Sequence, residues 1–359
     1  MTSLKEKIKE IIALNGPITV SQYMTLALTD PQFGYYQTQK PFGRAGDFIT
    51  APEISQLFGE MIGIWTLANW KAQGCPHPFI LAEIGPGRGT LMDDVLRTIQ
   101  KLCTPAFEAA EIFLIEISKQ LAKEQKKRLS PYQKEIYSIE TFDQIPSGPL
   151  FLIANEFFDT LPINQYIKIN GKWKERRITV NQNGDFTFIA GPRTICPFGL
   201  QSYCSEIPDG TIFEHAPLRH QLMRKISRRL VQMKGSALLI DYGASDLAFG
   251  DTLQALSKHR FRDIFDAPGV HDLTSHVGFF FLKAIALKQG CFAEILEQGD
   301  FLLKMGLLER ARQLGANKSA VLQNKICQDI ERLAASDQMG KLFKVLHVND
   351  KNIPLPPRF

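Results

Sequence analysis

No Cys-x-x-Cys pair occurs among the six cysteines of this 359-residue chain, and no spacing suits a zinc site. Cys75, Cys103, Cys196, Cys204, Cys291 and Cys327 are expected as reduced thiols, which argues against a disulfide framework or a zinc module. No long block of one charge occurs either. The net charge is +5, and Lys126-Lys127-Arg128 reads as the solvated end of a helix, so nucleic acid is not expected as a partner. No apolar run is long enough to span a bilayer: Phe279 to Leu287 is too short, and Lys283 interrupts it. Internal repeats and low-complexity tracts are missing. The N-terminal Leu4, Ile8, Ile11 and Ile12 have helical spacing, but Glu6 and Glu10 suit neither a signal peptide nor an acid-poor transit peptide. A cytoplasmic protein with no membrane insertion is expected.

What remains is ordinary for a globular chain, with 44% hydrophobic and 22% charged residues. The length allows one large domain with insertions or two domains. The most informative stretch is Glu83-Ile84-Gly85-Pro86-Gly87-Arg88-Gly89. It lies between an apolar run, Phe79-Ile80-Leu81-Ala82, and Leu91, Val95, Leu96 and Ile99 at helical spacing. Strand, glycine-rich turn and helix together present backbone N–H groups at the carboxyl edge of a sheet. A dinucleotide turn would need its third glycine at position 90, where Thr90 stands. The pattern resembles motif I of S-adenosylmethionine (SAM) methyltransferases.

Residues 1–75 read as helices joined by loops, with one helix expected over Ile54–Leu67. From 79 onward the rhythm alternates. Strands are predicted at 79–83, 112–116, 135–138 and 150–154, with helices near 90–101 and 118–129, which argues for a parallel sheet covered on both faces. Residues 163–190 break that rhythm as hairpins turning at Asn170-Gly171 and Asn183-Gly184. A helix over 217–233 and a buried strand, Ala237 to Ile240, then resume it. Residues 244–335 read as a mixed, mainly helical insertion, Phe279–Leu282 as a buried strand, and Phe343–Val348 as a closing edge strand. The division expected is 1–75 as an N-terminal helical or lid segment, 76–162 with 217–359 as the core, and 163–216 as an inserted β-hairpin subdomain.

Polar groups fall at the predicted strand ends. Glu116 could accept hydrogen bonds from both vicinal hydroxyls of a ribose. Asn155-Glu156 follows the fourth strand, and Glu140 follows the third as a possible adenine-side contact. The alternative is that Glu116 and Glu156 only cap helices, a placement worth roughly 0.3–1 kcal/mol without any ligand. Asp47 and Glu53 lie in a polar, glycine-bearing stretch ahead of the sheet, where Thr50 or Glu53 could equally be a helix start.

Longer blocks make the resemblance specific. They are Tyr35-Tyr36, Gly46 to Ser55 with Phe58-Gly59-Glu60, Glu83 to Met92, Asn155 to Pro162, Asp241-Tyr242-Gly243, Asp251 to Ala255 and Asp272 to Val277. Together they are similar to the MidA-type family of SAM-dependent methyltransferases, whose mitochondrial member is an arginine methyltransferase assisting assembly of respiratory complex I. Gly278 stands where an acidic residue is expected, and Thr160 where alanine is usual. His276 reads as structural.

The resemblance implies a class I, Rossmann-like methyltransferase sheet with helices on both faces, and SAM as cofactor. It implies cofactor contacts from Glu83, Gly85, Pro86, Gly87, Gly89, Glu116, Glu140 and Asn155. Catalytic roles would fall to Glu156, Asn155, Asp47 and Glu53, with no metal. The implied acceptor is an arginine of a complex I (NADH dehydrogenase) subunit, reached at its cytoplasmic face, with the hairpins and N-terminal segment as lid and docking surface. A homodimer is compatible with this reading. Two other functions stay open, a small-molecule or lipid methyltransferase and a SAM-binding assembly chaperone with little activity.

Overall fold

A computed structural model describes residues 3–38, 50–194, 207–257 and 260–354. The chain divides into two compact units. One comprises Met1–Phe48, Asp159–Gln221 and Leu247–His276, the other Ile49–Phe158, Leu222–Asp246 and Val277–Phe359. These groupings differ from the three-part division read from sequence rhythm, most visibly by placing the helix Gln56–Ala72 with the core sheet.

The second unit is built on a sheet ordered Cys291–Glu297, Phe343–Asp350, Gly235–Ala244, Leu150–Asn155, Phe79–Ile84, Ala110–Ile115, Ile136–Ile139. The last five strands are mutually parallel, and Phe343–Asp350 and Cys291–Glu297 are antiparallel to their neighbours. The central strands are buried throughout, as in Phe79–Ile84 and Leu150–Asn155, because helices cover both faces, and apart from Glu83 and Asn155 these two are apolar. The helix Thr90–Leu102 turns Leu91, Met92, Val95, Leu96 and Ile99 inward at the spacing of one helical face. It packs on Gln56–Ala72, where Gly59 and Gly63 permit close approach to Asp94 and Thr98. Around them Trp65, Phe58, Phe79 and Phe151 are fully buried, and each large apolar side chain so placed contributes about 1.5–3 kcal/mol.

Several expectations change here. Phe343–Asp350 is an interior strand, paired on both sides, and the antiparallel edge is Cys291–Glu297, which sequence reading missed. Phe279–Lys288 is a helix with Phe279, Leu282 and Ala286 buried, where a strand was expected. A short helix, Ala51–Ile54, precedes Gln56–Ala72, so the predicted helix Ile54–Leu67 starts two residues late and runs five further. Over 244–335 the expected insertion separates into a three-stranded sheet of the first unit and helices of the second.

The first unit has its own core of Leu4, Ile8, Val20, Tyr23, Met24, Ile163 and Ile178. Its main sheet pairs Ile18–Thr19, Lys172–Val180, Asn164–Ile169 and Ile212–His215, with Phe186–Thr194 also on Lys172–Val180. The hairpin turn Asn170-Gly171 has φ values of 49° and 72°, the left-handed pair a tight two-residue turn demands. The second sheet is Gln254–Ser257 between Arg260–Arg262 and Asp272–Thr274. Arg219, buried in this unit, donates to the carbonyls of Asp159, Leu161, Ser275 and His276 and so fastens two of the motif blocks together.

Candidate active site

Parallel strands end in register at one edge of the core sheet, and the predicted polar residues stand just past those ends. Gly85 N–H donates to Ile115 O at 3.2 Å, Glu116 N–H to Ile139 O at 2.8 Å, and Glu156 N–H to Ile240 O at 2.9 Å. Each residue is thus tied to the next strand along. Phe79–Ile84 and Leu150–Asn155 are adjacent, and the chain winds away from them in opposite directions. That switch point opens the crevice in which such sheets bind ligands.

The glycine loop fills one side of it. Gly85, Gly87 and Gly89 have φ of 66°, 51° and 76°, and Gly89 N–H closes a tight turn on Pro86 O at 2.7 Å. At Gly85 a second constraint acts, since a Cβ there would lie 2.8 Å from the Phe157 ring. Glu83, in the strand below, is buried, and burial pushes its carboxyl up to about 8. Its Oε2 has no hydrogen-bond partner among the described residues.

Glu116 is lashed into place. Its Oε1 accepts from Ser118 N–H at 2.7 Å and its Oε2 from Gln125 Nε2 at 3.3 Å. Burial raises its pKa, against the lowering effect of these hydrogen bonds. Gln125 Nε2 also donates to Gly87 O at 2.7 Å. The long spacing from Glu83 to Glu116 comes from an added helix, Thr104–Ala109. Glu140 follows Ile136–Ile139 as expected and is exposed; its N–H donates to Gln144 Oε1 at 2.8 Å in a local cap.

On the other side, Asn155 is buried, its Nδ2 donating to Glu156 Oε1 at 3.2 Å and its Oδ1 without a partner among the described residues. Glu156 adopts φ of 49°, unusual for a non-glycine residue. Its Oε1 also accepts from Ala51 N–H at 3.2 Å, supplying the helix Ala51–Ile54 with the cap that Thr50 does not make. That same helix carries Glu53, whose Oε1 accepts from Thr90 Oγ1 at 2.8 Å and lies 3.9 Å from Arg88 Nη1. Glu53, Glu156, Asn155 and the glycine loop are therefore brought together. Asp47 lies outside the described residues. Sequence reading missed Gln125, Phe157 and the Thr90–Glu53 bond; Glu53, Thr90 and Phe157 lie in the motif blocks above, whereas Gln125 carries no signal.

Residues 61–296 match a family described as "Putative S-adenosyl-L-methionine-dependent methyltransferase". A Drosophila melanogaster protein named protein arginine methyltransferase NDUFAF7 homolog, mitochondrial, is 35% identical, covering 96% of this chain and 84% of its own. The Homo sapiens protein arginine methyltransferase NDUFAF7, mitochondrial, is 32% identical, over 92% of this chain and 80% of its own. Among solved structures, a Burkholderia thailandensis protein bound to S-adenosyl-homocysteine has the same fold, with a TM-score of 0.87 at 24% identity over 99% of this chain and 93% of that one. The mitochondrial naming of the relatives overturns the cytoplasmic location expected above. The physical reason is plain. Leu4, Ile8 and Ile12 are core residues of a folded helix, so their pattern reports packing and carries no address.

Proposed function

The chain belongs to the S-adenosyl-L-methionine-dependent methyltransferase family, and from that premise we propose that it methylates a guanidinium nitrogen of a protein arginine. SAM is the cofactor of the family. The observation that carries the arginine reading is the convergence of Glu53 and Glu156 with Asn155 beside the glycine loop. The relatives' names point the same way.

The donor set suits a cationic nucleoside. Glu83 and Asn155 each hold a buried oxygen with no partner among the described residues, and Glu116 keeps acceptor capacity beside its bonds from Ser118 and Gln125. Gly85, Pro86, Gly87 and Gly89 would let backbone approach the methionine end, Glu116 would hold the ribose, and Glu140 would stand on the adenine side. Bound there, SAM supplies a methyl group already activated on a sulfonium. The protein's remaining task is alignment. Asn155 would place the reacting groups, while Glu156 and Glu53 would bind the guanidinium fork and draw its charge toward one nitrogen. That nitrogen forms a bond to the methyl carbon as the carbon–sulfur bond breaks. Its proton passes to a hydrogen-bonded carboxylate. The first unit would dock the protein acceptor, which we take to be a subunit of respiratory complex I.

The test is incubation with methyl-labelled SAM and an extract from cells lacking the protein. Label on an arginine of one complex I polypeptide is expected, whereas label confined to lipid or a small molecule would overturn the reading. In the same assay Glu156→Gln keeps an oxygen for the Ala51 cap but loses the charge. It should slow methylation about 100-fold or more with SAM affinity nearly unchanged, and retained activity would remove Glu156 from catalysis.

A further inference from the structure

Gln125 lies on the helix Lys119–Leu129, outside every motif block, yet it is completely buried beneath the glycine loop. A buried amide at a helix–loop contact is costly unless its hydrogen bonds are made. Its two N–H bonds go to two different cofactor elements, one to Gly87 O at 2.7 Å and one to Glu116 Oε2 at 3.3 Å. Both partners are acceptors, so the amide orientation is fixed with the nitrogen facing them, even though this leaves Oε1 buried without a partner among the described residues. Gln125 also packs beside Gly89, where an added Cβ would stand in ordinary contact, 3.4 Å from the Gln125 side chain.

We infer that Gln125 is a positioning residue for cofactor recognition, a two-pronged donor that sets the ribose carboxylate at a fixed offset from the glycine loop. The inference rests on the SAM reading above and deepens it. A carboxylate has roughly four lone-pair sites. In Glu116, Ser118 N–H donates to Oε1 and Gln125 to Oε2, and Ile117 N–H is a further backbone donor, so the carboxylate plane is fixed with acceptor capacity left for a vicinal diol. Without the Gln125 donor, the Glu116 carboxylate can rotate about its terminal torsion, and both hydroxyls no longer meet an oriented lone pair. Gly87 O would meanwhile be left buried without that partner. The ribose grip and the loop shape are therefore set by one side chain.

Isoelectronic and isosteric variants separate this role from packing. Gln125→Met fills the same space without a donor, and Gln125→Glu keeps the shape but sets an acceptor against two acceptors. Titration with S-adenosyl-homocysteine is expected to show about tenfold weaker binding by Gln125→Met and a larger loss by Gln125→Glu. With the analogue lacking the ribose 2′-hydroxyl, the Gln125→Met penalty should shrink severalfold, which a purely structural residue would not produce. In a Glu116→Ala background, Gln125→Met should likewise cost less than in the wild type. Thermal melts without ligand identify any variant that fails to fold, and the Glu116→Ala cycle then uses Gln125→Asn, which is too short to make both contacts. Wild-type affinity in Gln125→Met, or an equal penalty with both ligands, overturns the proposal while leaving the SAM reading intact. Failure of the wild-type protein to bind S-adenosyl-homocysteine would overturn both.

Discussion

Glu83 sits in the middle strand with 2% of its surface exposed, and burial shifts its carboxyl from an ordinary value of 4.5 to about 8. The folded state therefore holds a proton that the unfolded chain releases between those values. Where the folded form binds more protons, stability falls as pH rises. The contribution is fully present below about 4.5 and is lost progressively up to about 8. Glu83→Gln keeps the neutral shape without the titration. Relative to the wild type, its unfolding free energy should gain at most about 1.4 kcal/mol per pH unit across that window and level off above it. Urea denaturation of both proteins without ligand at pH 5, 6.5 and 8 checks this, and parallel curves would mean Glu83 is ionised in the fold. A cationic ligand would favour the ionised form, so SAM binding should release a proton near neutral pH.

Between elements, the helices Gln56–Ala72 and Thr90–Leu102 approach closely. A Cβ on Gly59 would stand 2.4 Å from the Asp94 Cβ, an atom fixed to the facing helix backbone. Beside it, Glu60 accepts from Arg97 Nη1 at 3.0 Å and from Arg310 Nε at 2.7 Å, and Arg97 also pairs with Asp94. Gly59→Ala would gain about 1 kcal/mol in helix propensity. Forcing the helices apart costs about 1–3 kcal/mol and also stretches these ion pairs, so a net loss of stability is expected in thermal melts. A raised Tm would show that the helices part freely. Elements like these two were legible because glycine turns and a 3.6-residue stripe bracket them. Phe279–Lys288 was not, since a short apolar run has no period to distinguish helix from strand. Cys291–Glu297 lay inside the stretch 244–335, which reads as a mixed, mainly helical insertion, and Glu294 and Glu297 interrupt its apolar pattern. The place of Phe343–Asp350 inside the sheet depends on Cys291–Glu297 pairing beyond it, which local pattern does not encode. Gln125 was invisible for a similar reason, as its partners lie far away in sequence.

For the whole molecule, the crevice, its glycine loop, Glu116 and Asn155-Glu156 all belong to the second unit. Ligand that binds only the folded form stabilises it by mass action, by about 2.7 kcal/mol at a hundred times Kd. Hydrogen exchange of Phe79–Ile84 and Leu150–Asn155 should slow accordingly, by up to about 100-fold, when SAM is added at that excess. Unchanged exchange would mean that these strands open by fluctuations that leave the site intact. The cofactor half of the function was readable because it needs glycines and carboxylates at strand ends. The sequence also named Glu53 and Glu156, but not the bonds that join Glu53 to Thr90 and Glu156 to Ala51, because these cross long stretches of chain.

The switch point between Phe79–Ile84 and Leu150–Asn155 exists because of the order in which the chain visits its strands. Side chains furnish that opening but do not create it. As a property of the connectivity, it survives any substitution that leaves the strand order intact. A substitution at its mouth can change how well the opening is filled, but the opening itself is lost only if the strands change their order.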